Sequence, residues 1–236
     1  MSPKTLDVVI PIVFPEYRIK VAEPVRVEMR LDKVEAWGVE LFSGFKYKGP
    51  EIFDGKIDDL GHAGVLLIRG GSPHTKGLTK YFEYGRYDKA EMGMARKVDI
   101  PDVLLGADGR PTRDSLKQVL AVVSKKAGHG TRIQGAYIEA PGRFDAMLKY
   151  VSGRMSLNKN PKREAYSIWT NSCLHFAIHT AEAGGVKTPW YADPSPSSYG
   201  GVLQDSFPDL NYDPKRGALE IEKAVGVPAW VGANGR

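Results

Sequence analysis

The spacing of apolar residues changes about halfway along this chain, from a pattern typical of β-strands to one typical of α-helices. Residues 8–14 form a nearly continuous apolar run, and residues 25–31 alternate apolar and polar side chains. Residues 63–68 and 79–84 are apolar or aromatic runs near turn-forming residues. These patterns predict four strands, of which the last two pair antiparallel. Because Pro11, Pro15 and Pro24 lie in or beside the first two runs, we expect these strands near sheet edges or bends.

Two amphipathic helices are predicted in the middle of the chain. In Asp114–Ala127 and again in Arg143–Met155, apolar residues recur every three or four positions, and Gly128 follows the first segment. This spacing puts the apolar side chains on one helix face, and glycine commonly ends a helix. Gly135–Glu139, between the two, predicts a strand. The mixture of strands and helices indicates the α+β class.

A third helix is predicted from Ser172 to about Glu182. Asn171 and Ser172 are good capping residues at its start, and Gly184 can end it. The segment that follows, residues 189–214, contains five prolines and many Ser, Asp and Tyr residues. This composition predicts a loop.

The chain has no internal repeat and no clean linker, so we predict a single domain over residues 1–236. Within it, residues 1–55 form an N-terminal strand region to which no role is assigned. Residues 186–236 form a proline-rich loop and a C-terminal tail, with a short helix around Gly217–Val225.

The composition is that of a folded, soluble protein. Hydrophobic residues make up 42% and charged residues 26% of the 236 positions, and no apolar run approaches the roughly 20 residues of a membrane span. The first 21 residues lack the apolar stretch of a signal peptide, and a single cysteine excludes an internal disulfide. We therefore expect a protein that is made and folded in a reducing cytoplasm.

The net charge of +5 permits an anionic partner, but the basic residues are spread along the chain. The basic clusters at Lys125-Lys126 and Lys159–Arg163 are short and have no interleaved aromatic residues. A nucleic-acid partner is therefore not expected.

Cys173 falls in the first turn of the third predicted helix. Unpaired amide groups and the helix dipole stabilise an anion there, so they would lower the pKa of this thiol. The helix face around Cys173 carries small residues, which lets another element approach closely. Those residues are Ala177, Thr180, Ala181 and Gly184. The position suits a nucleophile, and the alternative is a small buried hydrophobic residue.

His62 stands at the start of the strand over residues 63–68, beside Gly61 and Gly64, so its neighbours leave room for a partner at the imidazole. Glu83 lies on the next predicted strand. If the two strands pair, the Glu83 carboxylate could reach the imidazole and orient it, as in a nucleophile, base and orienter arrangement. The alternatives are a half-buried histidine at a strand end and a solvated glutamate.

Two segments carry a resemblance to a known family. Leu60–Val65 reads Leu-Gly-His-Ala-Gly-Val, and Tyr166–Ala177 contains Thr-Asn-Ser-Cys-Leu-His-Phe. Together they resemble the circularly permuted branch of the NlpC-like cysteine peptidases, in which the histidine strand precedes the cysteine helix. That branch includes relatives of lecithin:retinol acyltransferase. Ser172 stands where the family more often has asparagine, and the resemblance covers residues 62–87 and 144–185.

The resemblance implies a papain-like α+β fold in which an antiparallel sheet packs on the cysteine helix. It implies Cys173 as the nucleophile that attacks an amide or ester carbonyl, His62 as the residue that accepts and returns the proton, and Glu83 as the third catalytic residue. We expect no cofactor and no metal.

The sequences of the two segments are also similar to those of bacterial toxins that are delivered by contact-dependent secretion machines. These toxins commonly cut peptide amides in peptidoglycan. The resemblance therefore implies a cysteine amidase or endopeptidase that is made without a signal peptide. It implies delivery to the envelope of a target cell and a cognate inhibitory (immunity) protein in the producer.

Three other functions stay open. A lipid-acting acyltransferase, phospholipase or thioesterase would use the same Cys173 and His62, although the predicted helices have core-like stripes unlike those of membrane-lying helices. A metal site would use His175 and His179, but Cys173 points about 160° away from His175 around the helix. The third is a binding module with a papain-like core and no enzymatic activity.

Overall fold

The computed structural model describes residues 5–17, 61–87, 92–191 and 193–222, together with short strand segments between residues 19 and 57. The chain divides into two compact units, one of Met1–Tyr17 with Asp59–Arg236 and one of Arg18–Asp58. The single domain expected over residues 1–236 stays a prediction.

The strands of the described residues are, in chain order, β1 (Val8–Phe14), β2 (Ile19–Lys20), β3 (Glu28–Leu31), β4 (Val34–Ala36), β5 (Val39–Phe42), β6 (Phe45–Lys48), β7 (Lys56–Ile57), β8 (His62–Ile68), β9 (Lys76–Gly77), β10 (Thr79–Arg86), β11 (Gly93–Val98), β12 (Val103–Leu104), β13 (Ile133–Ala136), β14 (Ile138–Glu139), β15 (Asp209–Asp213) and β16 (Ala218–Ile221). The helices are α1 (Arg113–Ala127), α2 (Phe144–Ser156), α3 (Cys173–Ala183) and α4 (Pro196–Ser206), with a 3₁₀ turn at Leu157–Lys159. No helix in the described part of the chain has the length and hydrophobicity needed to cross a membrane.

The described residues of the smaller unit form three nested antiparallel pairs. Strand β2 pairs with β7, β3 with β6, and β4 with β5. The strand predicted over residues 25–31 corresponds to β3, and residues 25–27 lie outside the described residues.

The larger unit is built on an antiparallel sheet with the strand order β11-β10-β8-β1-β13-β15-β16, in which β14 also pairs with β1. Every residue of β1 and β8 is buried. Their nearly continuous apolar runs are explained by this central position, because both faces of these strands are covered. The predicted pairing of residues 63–68 with residues 79–84 is confirmed by the antiparallel register of β8 and β10.

Pro11 lies in a central strand, so the expectation of an edge or bend was wrong for β1. On the side where β1 faces β13 and β14, the paired residues are Ile12 with Gly135 and Val9 with Ile138. The ladder is interrupted between these pairs, at the break between β13 and β14. A proline is tolerated there because no ladder hydrogen bond requires its missing N–H group.

Successive side chains of β1 and β8 point to opposite faces of the main sheet. Helices cover both of these faces. Helix α1 belongs to one hydrophobic cluster with residues such as Ile10 and Leu66. Helices α2, α3 and α4 belong to a second cluster with Val9, Ala63 and Val65. The α+β class is therefore confirmed, with the cysteine-bearing helix packed on an antiparallel sheet.

The three helices predicted from periodicity and capping are confirmed within one residue at every end. Thr112 caps α1 and Ser172 caps α3, each by accepting a hydrogen bond from a backbone N–H in the first turn. The strand predicted at Gly135–Glu139 is divided into β13 and β14. Periodicity succeeded because each helix buries one stripe of side chains.

Two predictions near the C-terminus were wrong. Residues 189–214 are not a continuous loop, since they contain α4 and β15. Pro196 sits in the first turn of α4, where a proline costs no hydrogen bond, and Tyr199 and Leu203 bury one face of that helix. The helix predicted at Gly217–Val225 is the strand β16, which pairs with β15 up to Ile221. Residues from 223 onward lie outside the described residues.

Candidate active site

Cys173 is the first residue of α3, and it is only 1% exposed. Ser172 ends the preceding extended segment, and its hydroxyl accepts a hydrogen bond from the backbone N–H of His175. The thiol therefore lies where the free amide groups of the helix can stabilise a negative charge.

His62 is the first residue of β8 and lies beside the start of α3. The preceding Gly61 has a left-handed φ of 70°, and a Cβ atom there would lie 2.9 Å from the carbonyl oxygen of Phe14. Only glycine fits this turn without strain. The imidazole is buried, and its ring centroid lies 5.0 Å from that of Tyr17.

Glu83 on β10 lies opposite Gly64 of β8, so its side chain is a diagonal neighbour of His62. The carboxylate is fully buried, and Oε2 lies 3.1 Å from Nε2 of His62. Gly64 and Gly85 leave space on this face of the sheet. A Cβ atom at Gly64 would lie 2.1 Å from the hydroxyl of Tyr81, and one at Gly85 would meet the ring of Tyr87.

The three residues singled out from the sequence are thus brought together. Glu83 is hydrogen-bonded to Nε2 of His62, and the same imidazole hydrogen-bonds the thiol of Cys173, so Nδ1 is the ring nitrogen left for that contact. In this arrangement the thiol, the imidazole and the carboxylate form one continuous chain of contacts.

The electrostatics of this chain favour a thiolate and an imidazolium. Burial would raise the pKa of Cys173, but the imidazolium of His62 and hydrogen bonds from His62, Tyr166 and the Ala63 amide lower it below its ordinary value. Burial would lower the pKa of His62, but the Cys173 thiolate and Glu83 raise it to about 10. Burial also works against the charged form of Glu83, yet His62 and Arg96 keep the pKa of this carboxyl below its usual range.

Arg96 and Tyr87 complete the surroundings of Glu83 and His62, and sequence reasoning missed both. Arg96 on β11 lies directly opposite Glu83, and two of its guanidinium nitrogens lie 2.5 Å from Glu83 Oε1. The Tyr87 hydroxyl lies 3.4 Å from Nε2 of His62. No sequence pattern predicted β11, so nothing placed Arg96 beside the acid.

Tyr166 is the third residue missed. Its hydroxyl lies 3.4 Å from Sγ of Cys173, to which it donates, and 3.4 Å from the backbone nitrogen of Cys173, from which it accepts. The hydroxyl therefore lies beside the N–H group of Cys173, the group that would bind an oxyanion. Burial raises the pKa of Tyr166 well above its ordinary value, so the phenol stays protonated.

Asn171 holds the segment that carries Tyr166. Its amide nitrogen donates to the carbonyl of Ala165 and to the hydroxyl of Tyr84, each at 2.9 Å. Its amide oxygen accepts a hydrogen bond from Arg154 at 2.6 Å. The asparagine of the Thr-Asn-Ser-Cys segment is thus a structural anchor in front of the thiol.

His175 and His179, the pair considered for a metal site, lie on the same helix beyond Cys173. Nδ1 of His175 is 2.8 Å from the Ser172 hydroxyl, and Nε2 is 3.1 Å from the Tyr191 hydroxyl. Both ring nitrogens of His175 are therefore engaged in hydrogen bonds. Within the part of the chain that the structure describes, no group of three or more His, Cys, Asp or Glu side chains is placed to hold a metal ion.

Comparisons with known proteins connect this site to a family. The family model for type VI secretion system effectors that are TseH-like matches residues 9–187, a range that includes Cys173, His62 and Glu83. The crystal structure of the type VI secretion system effector TseH is similar to this chain, with a TM-score of 0.68 and 30% sequence identity, over 93% of this chain and 99% of that one. No sequence among curated proteins matches the chain. The resemblance to delivered bacterial toxins is thereby supported, and the permuted NlpC-type core stays a prediction that fits the observed sheet and helix.

Proposed function

The chain belongs to the TseH-like family of type VI secretion system effectors, and on that premise we propose that it is a cysteine hydrolase that cleaves peptide amide bonds in bacterial peptidoglycan. Membership of this family implies delivery by a secretion system. Effectors of this kind usually have a cognate immunity protein, and we propose one as the partner of this chain in the cell that makes it.

One observation carries the proposal. The sole cysteine of the chain is buried at the N-terminus of α3 beside the imidazole of His62, which Glu83 orients at 3.1 Å, and the pKa of Cys173 is lowered while that of His62 is raised. A buried thiol without a catalytic role is normally neutral, because burial disfavours the thiolate. Here the neighbouring groups outweigh burial, which is the arrangement that nucleophilic catalysis requires.

The first half of the reaction follows from this charge state. The Cys173 thiolate attacks the carbonyl carbon of the amide, a C–S bond forms, and the carbonyl oxygen becomes an oxyanion beside the Cys173 N–H group. The His62 imidazolium gives its proton to the amide nitrogen as the C–N bond breaks. An amine leaves, and the acyl group remains on Cys173 as a thioester.

The second half returns the enzyme to its starting state. His62, now neutral, takes a proton from a water molecule that attacks the thioester carbonyl. The C–S bond breaks, and the products are a carboxylic acid and the restored thiolate and imidazolium pair. Glu83 keeps the imidazole oriented through both halves by holding Nε2.

The pH dependence of kcat/KM should reflect both members of the pair. Activity should rise as the pH passes the lowered pKa of Cys173, below the ordinary value of 9.0, because the thiolate is the nucleophile. It should fall as the pH passes about 10, because His62 then loses the proton that the leaving amine needs. Initial rates on a soluble wall peptide across this pH range test the prediction. An acid limb at or above pH 9.0 would show that the resting thiol is neutral.

Replacing Tyr166 with phenylalanine should lower kcat by about a hundredfold with little change in KM, because the hydroxyl beside the Cys173 amide is lost as an oxyanion donor. The control is Tyr150→Phe, which removes a hydroxyl from α2, where the ring packs on Phe176. Steady-state kinetics of both variants make the comparison. Equal rates for Tyr166→Phe and wild type would remove Tyr166 from the reaction.

The choice of peptidoglycan rests on the family and on charge. A toxin delivered into another bacterium meets an anionic cell wall, and a net charge of +5 favours association with such a polymer. A lipid-acting acyltransferase, phospholipase or thioesterase would use the same Cys173 and His62, so substrate identity has to be measured.

The test is incubation of wild-type protein and Cys173→Ala with purified peptidoglycan and, separately, with phospholipid vesicles. Mass analysis of soluble fragments and detection of new amines report amide cleavage, and analysis of fatty acids reports ester cleavage. We expect wall fragments with new amines from the wild type alone. Fatty acid release with an unchanged wall would overturn the peptidoglycan assignment and support the lipid alternative.

A further inference from the structure

We propose that Arg96 is a positioning residue whose positive charge allows Glu83 and Cys173 to be anionic at the same time. The inference rests on the proposed function only in assuming that the thiolate is the working form of Cys173. Nothing in the family resemblance assigned a role to position 96.

The contacts place Arg96 at one end of a linear series of charged groups. Its guanidinium lies 2.5 Å from Oε1 of Glu83, and Oε2 of the same carboxylate lies 3.1 Å from His62. His62 in turn faces the thiol of Cys173. The guanidinium also stacks over the Tyr87 ring, 3.9 Å from its centroid, which holds it in place against the carboxylate.

The burial of these groups makes their total charge decisive. The Glu83 side chain is 0% exposed and Cys173 is 1% exposed, whereas the Arg96 side chain is 44% exposed. The partly exposed Arg96 guanidinium therefore places a positive charge against the Glu83 carboxylate, which has no contact with solvent. With His62 charged, the four groups sum to zero, and a buried cluster with a net charge would be costly.

Apart from Arg86, the other titratable groups around the cluster contribute no charge near neutral pH. Four tyrosines surround it, and burial raises the pKa of each, so their hydroxyls stay protonated. They are Tyr17, Tyr81, Tyr87 and Tyr166. The Arg86 guanidinium stacks over the outer ring of Tyr166, 5.2 Å from its centroid, and lies on the exposed end of β10.

Removal of the arginine charge should return a proton to the thiol. Without Arg96, the cluster would hold two anions and one cation, and one anion would take up a proton. Cys173 would take it, because a thiol has a much higher ordinary pKa than a carboxyl group, 9.0 against 4.5. The Glu83 carboxylate and the His62 imidazolium would remain, and the nucleophile would be lost.

The test is a pH titration of thiolate absorbance in the unliganded protein. Because Cys173 is the only cysteine, the difference from Cys173→Ser at each pH reports this thiol alone. We expect Arg96→Gln to raise the titration midpoint by about one to two pH units, and Arg96→Lys to leave it within about half a unit of wild type. The control is Arg110→Gln, which removes a guanidinium that pairs with Glu139 and Asp108 away from the cluster.

The sharpest comparison is the double variant Arg96→Gln with Glu83→Gln. Removing both charges restores neutrality, so the midpoint should return to within about half a unit of wild type, and Glu83→Gln alone should not raise it. If Arg96 had a merely structural role, the second substitution would instead move the titration midpoint further from that of the wild type.

Two results would overturn the proposal: an unchanged midpoint in Arg96→Gln, or a raised midpoint that the second substitution fails to reverse. If Arg96→Gln does not fold, the midpoint of Glu83→Gln still decides, because a rise there contradicts the charge balance. The titration needs no substrate, so its result can be interpreted even if the protein does not cut peptidoglycan.

Discussion

His62→Ala is expected to lower kcat by about ten thousandfold, because the imidazole supplies both the cation that stabilises the thiolate and the proton for the leaving amine. Burial, which raises the pKa of Cys173, would then act without its main opposing group. The midpoint of the thiolate titration should therefore move up toward or above the ordinary value. Amine release from peptidoglycan and thiolate absorbance measure the two effects in the same preparation.

His179→Ala is the control for this substitution. His179 is half exposed on α3 and lies 4.0 Å from Glu182, on the helix that carries Cys173 but outside the cluster. We expect its rate to equal that of the wild type. If His62→Ala retained a rate within tenfold of wild type while folded, His62 would have no part in proton transfer.

Gly64→Ala is expected to destabilise the fold by about 3 kcal/mol. The added Cβ atom would lie 2.1 Å from the Tyr81 hydroxyl and 2.9 Å from the backbone oxygen of Phe82. The tyrosine ring is fully buried and the oxygen belongs to the neighbouring strand, so neither can move aside cheaply. Urea unfolding should show the loss as a lower midpoint with an unchanged slope.

Gly153→Ala offers a control of opposite sign. Gly153 lies in the exposed part of α2, and no heavy atom lies within 4 Å of the Cβ atom that alanine would add. Alanine should therefore stabilise the helix by about 0.5–1 kcal/mol. Equal unfolding midpoints for the two variants would mean that Gly64 is not held by the contacts described.

Much of the larger unit was predictable because its elements bury one stripe or one run of side chains. Leu116, Val119, Leu120 and Val123 are buried in α1, as the spacing predicted. Helix α4 was missed because its proline and serines are typical of loops, and its buried stripe rests chiefly on Tyr199 and Leu203. Strand β16 was mistaken for a helix because a four-residue segment is too short for periodicity to decide.

A residue of the site was predictable only where its neighbours in the sequence indicate its structural surroundings. The glycines beside His62 and the capping residues before Cys173 are local signals, and they pointed to both residues. Arg96 reaches the acid through the pairing of β10 with β11, which has no local signal. Tyr166 reaches the thiol because the segment before α3 folds back, an arrangement that depends on the tertiary contacts of Asn171.

The central claim is that Cys173 carries the acyl group of a cleaved wall peptide. The most direct measurement is the mass of the chain after acid quenching during turnover of peptidoglycan, with the modified peptide identified by fragmentation. We expect a thioester between Cys173 and a wall peptide acyl group in the wild type, and neither this adduct nor released amines with Cys173→Ala. Amine release by Cys173→Ala at the wild-type rate would contradict this claim.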